Sequence, residues 1–289
     1  MTVTVSLREV DHRQTRRSYL LIEPAQPTRR PLPAIVDLHG SGLRPEDHAR
    51  TADSYALAKD ALVLLPFGVL PFQIRPDLPP ATSWSVPGAP LPGEEGVRHD
   101  AEDVDDVAFI ADLAQILHTR HGADPHRIHL RGYSAGARLA SYVAGVAPDA
   151  FASVCCVSGV RTPPGDGPLP PLLALHGLKD PGNPFAGSRT HRWREPVPKA
   201  VDAWAQRSAG TASTQTPIAP GVRETRYLTG GGHIAASLIV IDEAEHSWPG
   251  TRDLQHVAAF GSAGRFSASA AHAAFIHRID AARNESGNA

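Results

Sequence analysis

The chain has 289 residues, 42% of them apolar and 20% charged, with 28 Lys and Arg balanced against 30 Asp and Glu. That composition supports a substantial core, and a formal charge of −2 gives no electrostatic reason to expect nucleic acid. No apolar run approaches the roughly 18 residues of a membrane span, so the expected partner is a small molecule.

Residues 3–23 alternate like two antiparallel strands, the second over 16–23, turning through Asp11 and His12. The start lacks a basic segment followed by an apolar run, so no signal peptide is expected. Cys155 and Cys156, the two cysteines, are neighbours, and a disulfide between them would be strained; free thiols in the cytoplasm are expected. After a Pro-rich spacer, the apolar run 34–38 stops at His39-Gly40-Ser41-Gly42, a buried strand entering a loop. Residues 46–59 fit a helix and 61–65 another buried strand. A Pro/Gly-rich insertion at about 66–98 has neither periodicity and is expected near the active site.

Residues 100–121 return to helical spacing and 127–130 to a strand. Small and apolar residues suit a helix over 135–146 and strands over 153–157 and 172–175. Further on, 198–207 reads as a helix, 223–228 and 238–241 as strands, and 268–282 as a closing helix. Buried strands alternating with helices predict an α/β fold as one domain, residues 1–289. Its central sheet is mostly parallel, with an antiparallel N-terminal hairpin and helices on both faces.

Gly132-Tyr133-Ser134-Ala135-Gly136 stands between a strand and a helix, the context of a nucleophile elbow. Ser134 is the candidate nucleophile. A serine hydroxyl needs a base and an acid to orient that base, in the order Ser, acid, His along the chain. Asp180, after the strand 172–175, is the expected acid. His246, after the strand 238–241, is the expected base in preference to His233, which precedes that strand. An oxyanion needs two backbone donors. Ala135 N–H is one, and the glycine loop after His39 supplies the other, Ser41 first and Gly42 as the alternate. His39 and Tyr133 flank these groups and are expected beside the substrate.

The acids Glu102, Asp103, Asp105 and Asp106 complement a helix N-terminus, and no spacing of the histidines is that of a metal site. Gly230-Gly231-Gly232 lacks the Lys and Ser/Thr of a phosphate loop. No metal and no cofactor are expected.

Leu38-His39-Gly40, the run 103–110, Asp124-Pro125-His126-Arg127-Ile128, the elbow, His176-Gly177 with Asp180, and His246-Ser247-Trp248-Pro249-Gly250 together resemble the polyhydroxybutyrate depolymerase and feruloyl esterase-like group of α/β hydrolases. The resemblance covers residues 34–250. It implies the α/β-hydrolase fold and hydrolysis of carboxylic esters through an acyl-enzyme, with Ser134, Asp180 and His246 at the triad positions. It leaves open short polyesters, acetylated or feruloylated sugars and simple aryl esters. Relatives often place a substrate-facing aromatic where Trp84 lies; an ordinary packing role is the other reading. Many relatives carry Cys where this chain has Ser41, and many are secreted and modular, which counts against a degrader of solid polymer. A polyhydroxyalkanoate oligomer hydrolase and a non-catalytic ligand-binding relative remain as alternatives.

Overall fold

The computed structural model describes residues 2–27, 30–89, 105–189 and 193–286. Ten strands form one sheet in the order β1-β2-β4-β3-β7-β8-β9-β12-β11-β10. They are β1 (Val3–His12), β2 (Thr15–Pro24), β3 (Leu32–Leu38), β4 (Leu62–Pro66), β7 (Ala123–Tyr133), β8 (Ser153–Val157), β9 (Leu172–Gly177), β10 (Gly210–Ala219), β11 (Val222–Thr229) and β12 (Ile234–Ile241). From β4 to β12 all neighbours are parallel, and β1-β2-β4 and β12-β11-β10 are antiparallel wings. This is the expected mostly parallel sheet with an N-terminal hairpin, extended by a second antiparallel wing that the sequence did not suggest. The hairpin turns at Arg13 and Gln14, not at Asp11 and His12. Both turn residues have positive φ (47° and 69°), as a two-residue turn matching strand twist requires.

Buried strands carry apolar residues on both faces, and neighbours point to opposite sides. Val36 and Leu38 of β3 share one core with helices α3 (Asp106–His121), α4 (Ala135–Val146) and α5 (Val197–Arg207). Ile35 instead joins Ala49 of α1 (Pro45–Thr51) and Ile276 of α7 (Ala268–Ser286). The adjacent cysteines obey the same alternation: Cys155 belongs to the α7 side and Cys156 to the α4 side, so both are buried free thiols.

The helix expected over 46–59 is broken into α1 and a single turn, α2 (Ser54–Leu57), by Asp53 in the left-handed region (φ 50°). The break frees the Ala52 carbonyl to accept hydrogen bonds from Arg131 Nη1 and Ser269 Oγ. Within the insertion, β5 (Leu70–Phe72) and β6 (Ala81–Ser83) form a small hairpin. The acids Glu102 and Asp103 lie outside the described residues. Among the described residues no helix is long and apolar enough to cross a membrane.

Candidate active site

β7 ends in Tyr133, α4 begins at Ala135, and the single residue between them is Ser134, with φ 53° and ψ −112°. A serine held in this sparsely populated region needs surroundings that enforce it. They do: a Cβ on Gly132 would stand 2.4 Å from the Gly136 carbonyl, and one on Gly136 2.4 Å from the Leu38 oxygen. Gly159 is equally constrained, because its Cβ would lie 2.2 Å from the Ser134 oxygen. The strand ends and the helix therefore meet backbone to backbone, and the serine side chain is pushed out at the carboxyl edge of the sheet.

Two other strand ends complete the group. The loop after β12 brings His246 Nε2 to 3.0 Å from Ser134 Oγ. The loop after β9 brings the Asp180 carboxylate to 2.7 and 2.9 Å from His246 Nδ1. A carboxylate can only accept here, so Nδ1 carries the proton and Nε2 is free to accept one from the serine. Asp180 is itself fixed by the Asn183 backbone N–H at 2.7 Å. Asn183 also donates Nδ2 to the Ser158 carbonyl and accepts from Arg161 Nη2. Sequence reasoning missed Asn183; its signal was the Asp-Pro-Gly-Asn turn, in which an Asp side chain caps the N–H three residues on. His176, on the other side of Asp180, donates Nε2–H to the Asn183 carbonyl, and burial lowers its pKa to about 4, so it is neutral beside the carboxylate.

The donors for an oxyanion are narrowed by the loop after β3. Gly42 N–H donates to the Thr82 carbonyl at 2.9 Å, so the alternate donor is already committed. Among the described residues, Ser41 N–H and Ala135 N–H have no acceptor. Their loop is braced by the β5-β6 insertion: Ser41 Oγ meets Ser83 Oγ at 2.7 Å, and Gly68 N–H donates to His39 Nε2 at 3.1 Å.

Three of the residues expected beside the substrate have a different place. His39 is 1% exposed and uses both ring nitrogens, Nε2 accepting from Gly68 and Nδ1 donating to the Gly40 carbonyl. Burial takes its pKa to about 3, so it is a neutral brace. Trp84 is 1% exposed, packs on His39 and donates Nε1–H to the His39 carbonyl at 2.7 Å. Its role is therefore packing behind the loop that carries Ser41. Tyr133 is fully buried and donates its hydroxyl to the His246 carbonyl at 2.5 Å, which anchors the loop that carries His246.

The group beside the site that sequence reasoning missed is helix α6 (Leu254–Phe260). Its Phe260 ring lies 6.1 Å from the His246 ring, and with Leu43, Ile74, Leu78 and Pro80 it lines a cavity of about 180 Å³. A seven-residue helix with little periodicity leaves no strong trace in a sequence.

Beneath the site, Arg131 grips Asp37 through Nε and Nη2, while His48 Nε2 and Ser54 Oγ complete the carboxylate's partners. Burial alone would raise the Asp37 carboxyl, but Arg131 and His48 hold it well below the usual carboxylate range. This network ties β3, β7, α1 and α2 together.

No family model matches the chain. Over 198 residues, 65% of this chain, it is 33% identical to a protein named "Putative esterase NocK" from Nocardia uniformis subsp. tsuyamanensis, of which those residues are 52%. The chain thus spans about half the length of the curated relative it matches. Among solved structures, the acetyl xylan esterase from Aspergillus awamori superposes with a TM-score of 0.61 at 15% identity, covering 88% of this chain and 99% of that one. A hyperthermophilic esterase from the archaeon Pyrobaculum calidifontis gives 0.52 at 14% identity, covering 84% and 77%. At such identities the likeness shows the fold, and that fold is the α/β-hydrolase fold.

Proposed function

We propose that this α/β-hydrolase-fold chain is a serine carboxylesterase working through an acyl-enzyme. The observation that carries the reading is the hydrogen-bonded line Ser134 Oγ, His246 Nε2 (3.0 Å), His246 Nδ1, Asp180 (2.7 Å), set on an elbow that turns the hydroxyl towards His246. His246 takes the proton as Ser134 Oγ bonds to the ester carbonyl carbon. Asp180 stabilises the imidazolium, and the carbonyl oxygen, now negative, meets the N–H groups of Ala135 and Ser41. Collapse breaks the carbon–oxygen bond to the alcohol, which leaves with the proton from His246. Water, deprotonated by His246, then attacks the acyl-serine and restores the hydroxyl as the acid departs. The relatives named as esterases support the same chemistry.

Small or oligomeric esters are the proposed substrates. The 180 Å³ cavity beside Phe260 is close to the roughly 150 Å³ that hold one benzene ring, which favours a short acyl or aryl group over a polymer chain. Membership of the polyhydroxybutyrate depolymerase and feruloyl esterase-like group rests on the motifs alone. The buried free thiols support a reducing compartment, the cytoplasm.

The test is hydrolysis of 4-nitrophenyl acetate and butyrate, with mass detection of the protein after a fluorophosphonate. Wild type should turn over both esters and gain one phosphonyl group on Ser134. Ser134→Ala should do neither, and full activity in that variant would remove the reading.

A further inference from the structure

A second cavity, of about 320 Å³, lies beside α4 and is lined by Arg138, Tyr142, Arg161, Arg194 and Glu195, with residues 86–89 on its far wall. Its two inner arginines rise from the segments that hold the nucleophile. Arg138 N–H donates to the Ser134 carbonyl, so its side chain starts one helical turn, about 6 Å, from the serine. Arg161 follows Gly159, whose backbone abuts the Ser134 carbonyl, and its own N–H donates to Ser141 Oγ on α4. The cavity is therefore a neighbour of the acyl-transfer site.

Charge is what distinguishes this cavity. Both guanidinium groups lie against one indole, Arg161 Cζ 4.1 Å and Arg138 Cζ 5.2 Å from the Trp193 ring centre. Arg161 gives Nη1 to the Val160 carbonyl and Nη2 to Asn183 Oδ1, both neutral acceptors. Among the described residues, no carboxylate forms an ion pair with Arg161. Glu195, the acid on the cavity wall, has its two oxygens turned to the Thr162 N–H and hydroxyl, at 3.0 and 2.7 Å. A guanidinium withdrawn from water costs free energy that an anion offsets; burial lowers the Arg161 pKa to about 10, although the charge of Glu195 acts to raise it. Planar, rigid guanidinium forks are matched to a carboxylate, which accepts two parallel hydrogen bonds.

We propose that this cavity is a carboxylate-binding subsite, so that the preferred ester of the Ser134 centre carries a free carboxylate on one of its two halves. The proposal rests on the esterase reading. It specifies the substrate class of that same site: half-esters of dicarboxylic acids, or esters of hydroxy acids.

Two matched pairs separate these sources at pH 7.5. The acyl side compares 4-nitrophenyl hydrogen glutarate with neutral 4-nitrophenyl butyrate. The alcohol side compares the butyryl ester of glycolate with ethyl butyrate. In one pair the anionic ester should win in kcat/KM by tenfold or more, chiefly through KM. That advantage should shrink at least fivefold in Arg161→Gln and at least threefold in Arg194→Gln. The ratio is the readout because Arg161 also touches Asn183, and any loosening of Asp180 lowers both rates together. Arg194 is exposed, so its variant keeps the test open should Arg161→Gln fail to fold. Independently, calorimetry should find glutarate, and not glutaramide, bound to Ser134→Ala, with the affinity lost when Arg161→Gln is added. Arg161-dependent binding of glutarate without turnover of any ester would uphold the subsite and remove the esterase reading. Turnover of neutral esters with no anionic preference in either pair, or with ratios unchanged in both variants, overturns the subsite and leaves the esterase standing.

Discussion

Asp180 is held at both ends of its task, by the Asn183 N–H that fixes its rotamer and by the His246 ring that it orients. The consequence is tested by Asp180→Asn. An amide can present its NH2 to Nδ1, which moves the imidazole proton to Nε2 and leaves no acceptor for the serine. kcat should fall by about 10⁴ with KM little changed, as expected when only the tautomer is lost. A loss under tenfold would show that the carboxylate does not set the tautomer. Tyr133→Phe probes the same ring from its backbone side. It removes the hydroxyl from the part-buried His246 carbonyl and should cost about 1–3 kcal/mol of stability, read from denaturant midpoints, with kcat reduced more than KM is raised. At this scale the grouping of Ser134, Asp180 and His246 was legible, because each follows a strand in a fixed order. The supporting roles were not. Nothing in the sequence says that Gly42 N–H would be taken by Thr82, or that His39 and Trp84 would satisfy each other instead of facing substrate.

Elements differ in how plainly the sequence announces them. The helix α4 and the strand β8 were placed to the residue, since runs of small and apolar residues between glycines leave few alternatives. By contrast, β10 was missed because Gly210–Ala219 is polar and exposed nearly throughout; its pairing with β11 alone makes it a strand. The break in the helix over 46–59 was also invisible, since the groups that claim the Ala52 carbonyl, Arg131 and Ser269, lie far along the chain. The β5-β6 insertion has only three-residue strands, yet it holds the loop that presents Ser41. Trp84→Phe keeps the ring and removes the hydrogen bond to His39. Stability should fall by about 1–2 kcal/mol, and kcat on 4-nitrophenyl butyrate several-fold, if the loop's position sets the oxyanion donor. Unchanged kcat with the expected loss of stability would reduce the insertion to packing. The elbow is less forgiving: in Gly136→Ala the new methyl would meet the Leu38 and His39 oxygens at 2.4 and 2.6 Å, both backbone atoms that cannot turn away. That variant should lose several kcal/mol or fail to express soluble protein.

Across the whole molecule, burial keeps a set of histidines neutral. It lowers His39 and His256 to about 3, His176 to about 4, and His272 well below its ordinary value. In the unfolded chain these groups protonate near pH 6.5, whereas in the folded protein they wait until pH 4 or lower. Between those limits the unfolded state binds more protons, so stability is fully present above about pH 6.5 and is lost as pH falls. Each such histidine contributes a slope of up to about 1.4 kcal/mol per pH unit. Asp37, held low by Arg131 and His48, adds a loss of the same sign at still lower pH; Asp106, raised by burial, acts the other way over its own short window. Denaturant midpoints should therefore drop steeply from pH 7 to pH 5, and a flat profile would mean that these rings are protonated or wet in the folded state. His272 isolates the effect. It is fully buried near Arg131, and among the described residues neither ring nitrogen has a hydrogen-bond partner, so it carries a desolvation cost with no return. His272→Leu, of similar bulk, should stabilise the protein by about 1–3 kcal/mol at pH 8. The gain should grow by about 1.4 kcal/mol per unit as pH falls below 6.5, because the unfolded variant no longer has that proton to bind. A gain equal at pH 8 and pH 5 would show that His272 does not take part in the acid sensitivity, and a loss at both would show that its ring is hydrogen-bonded after all.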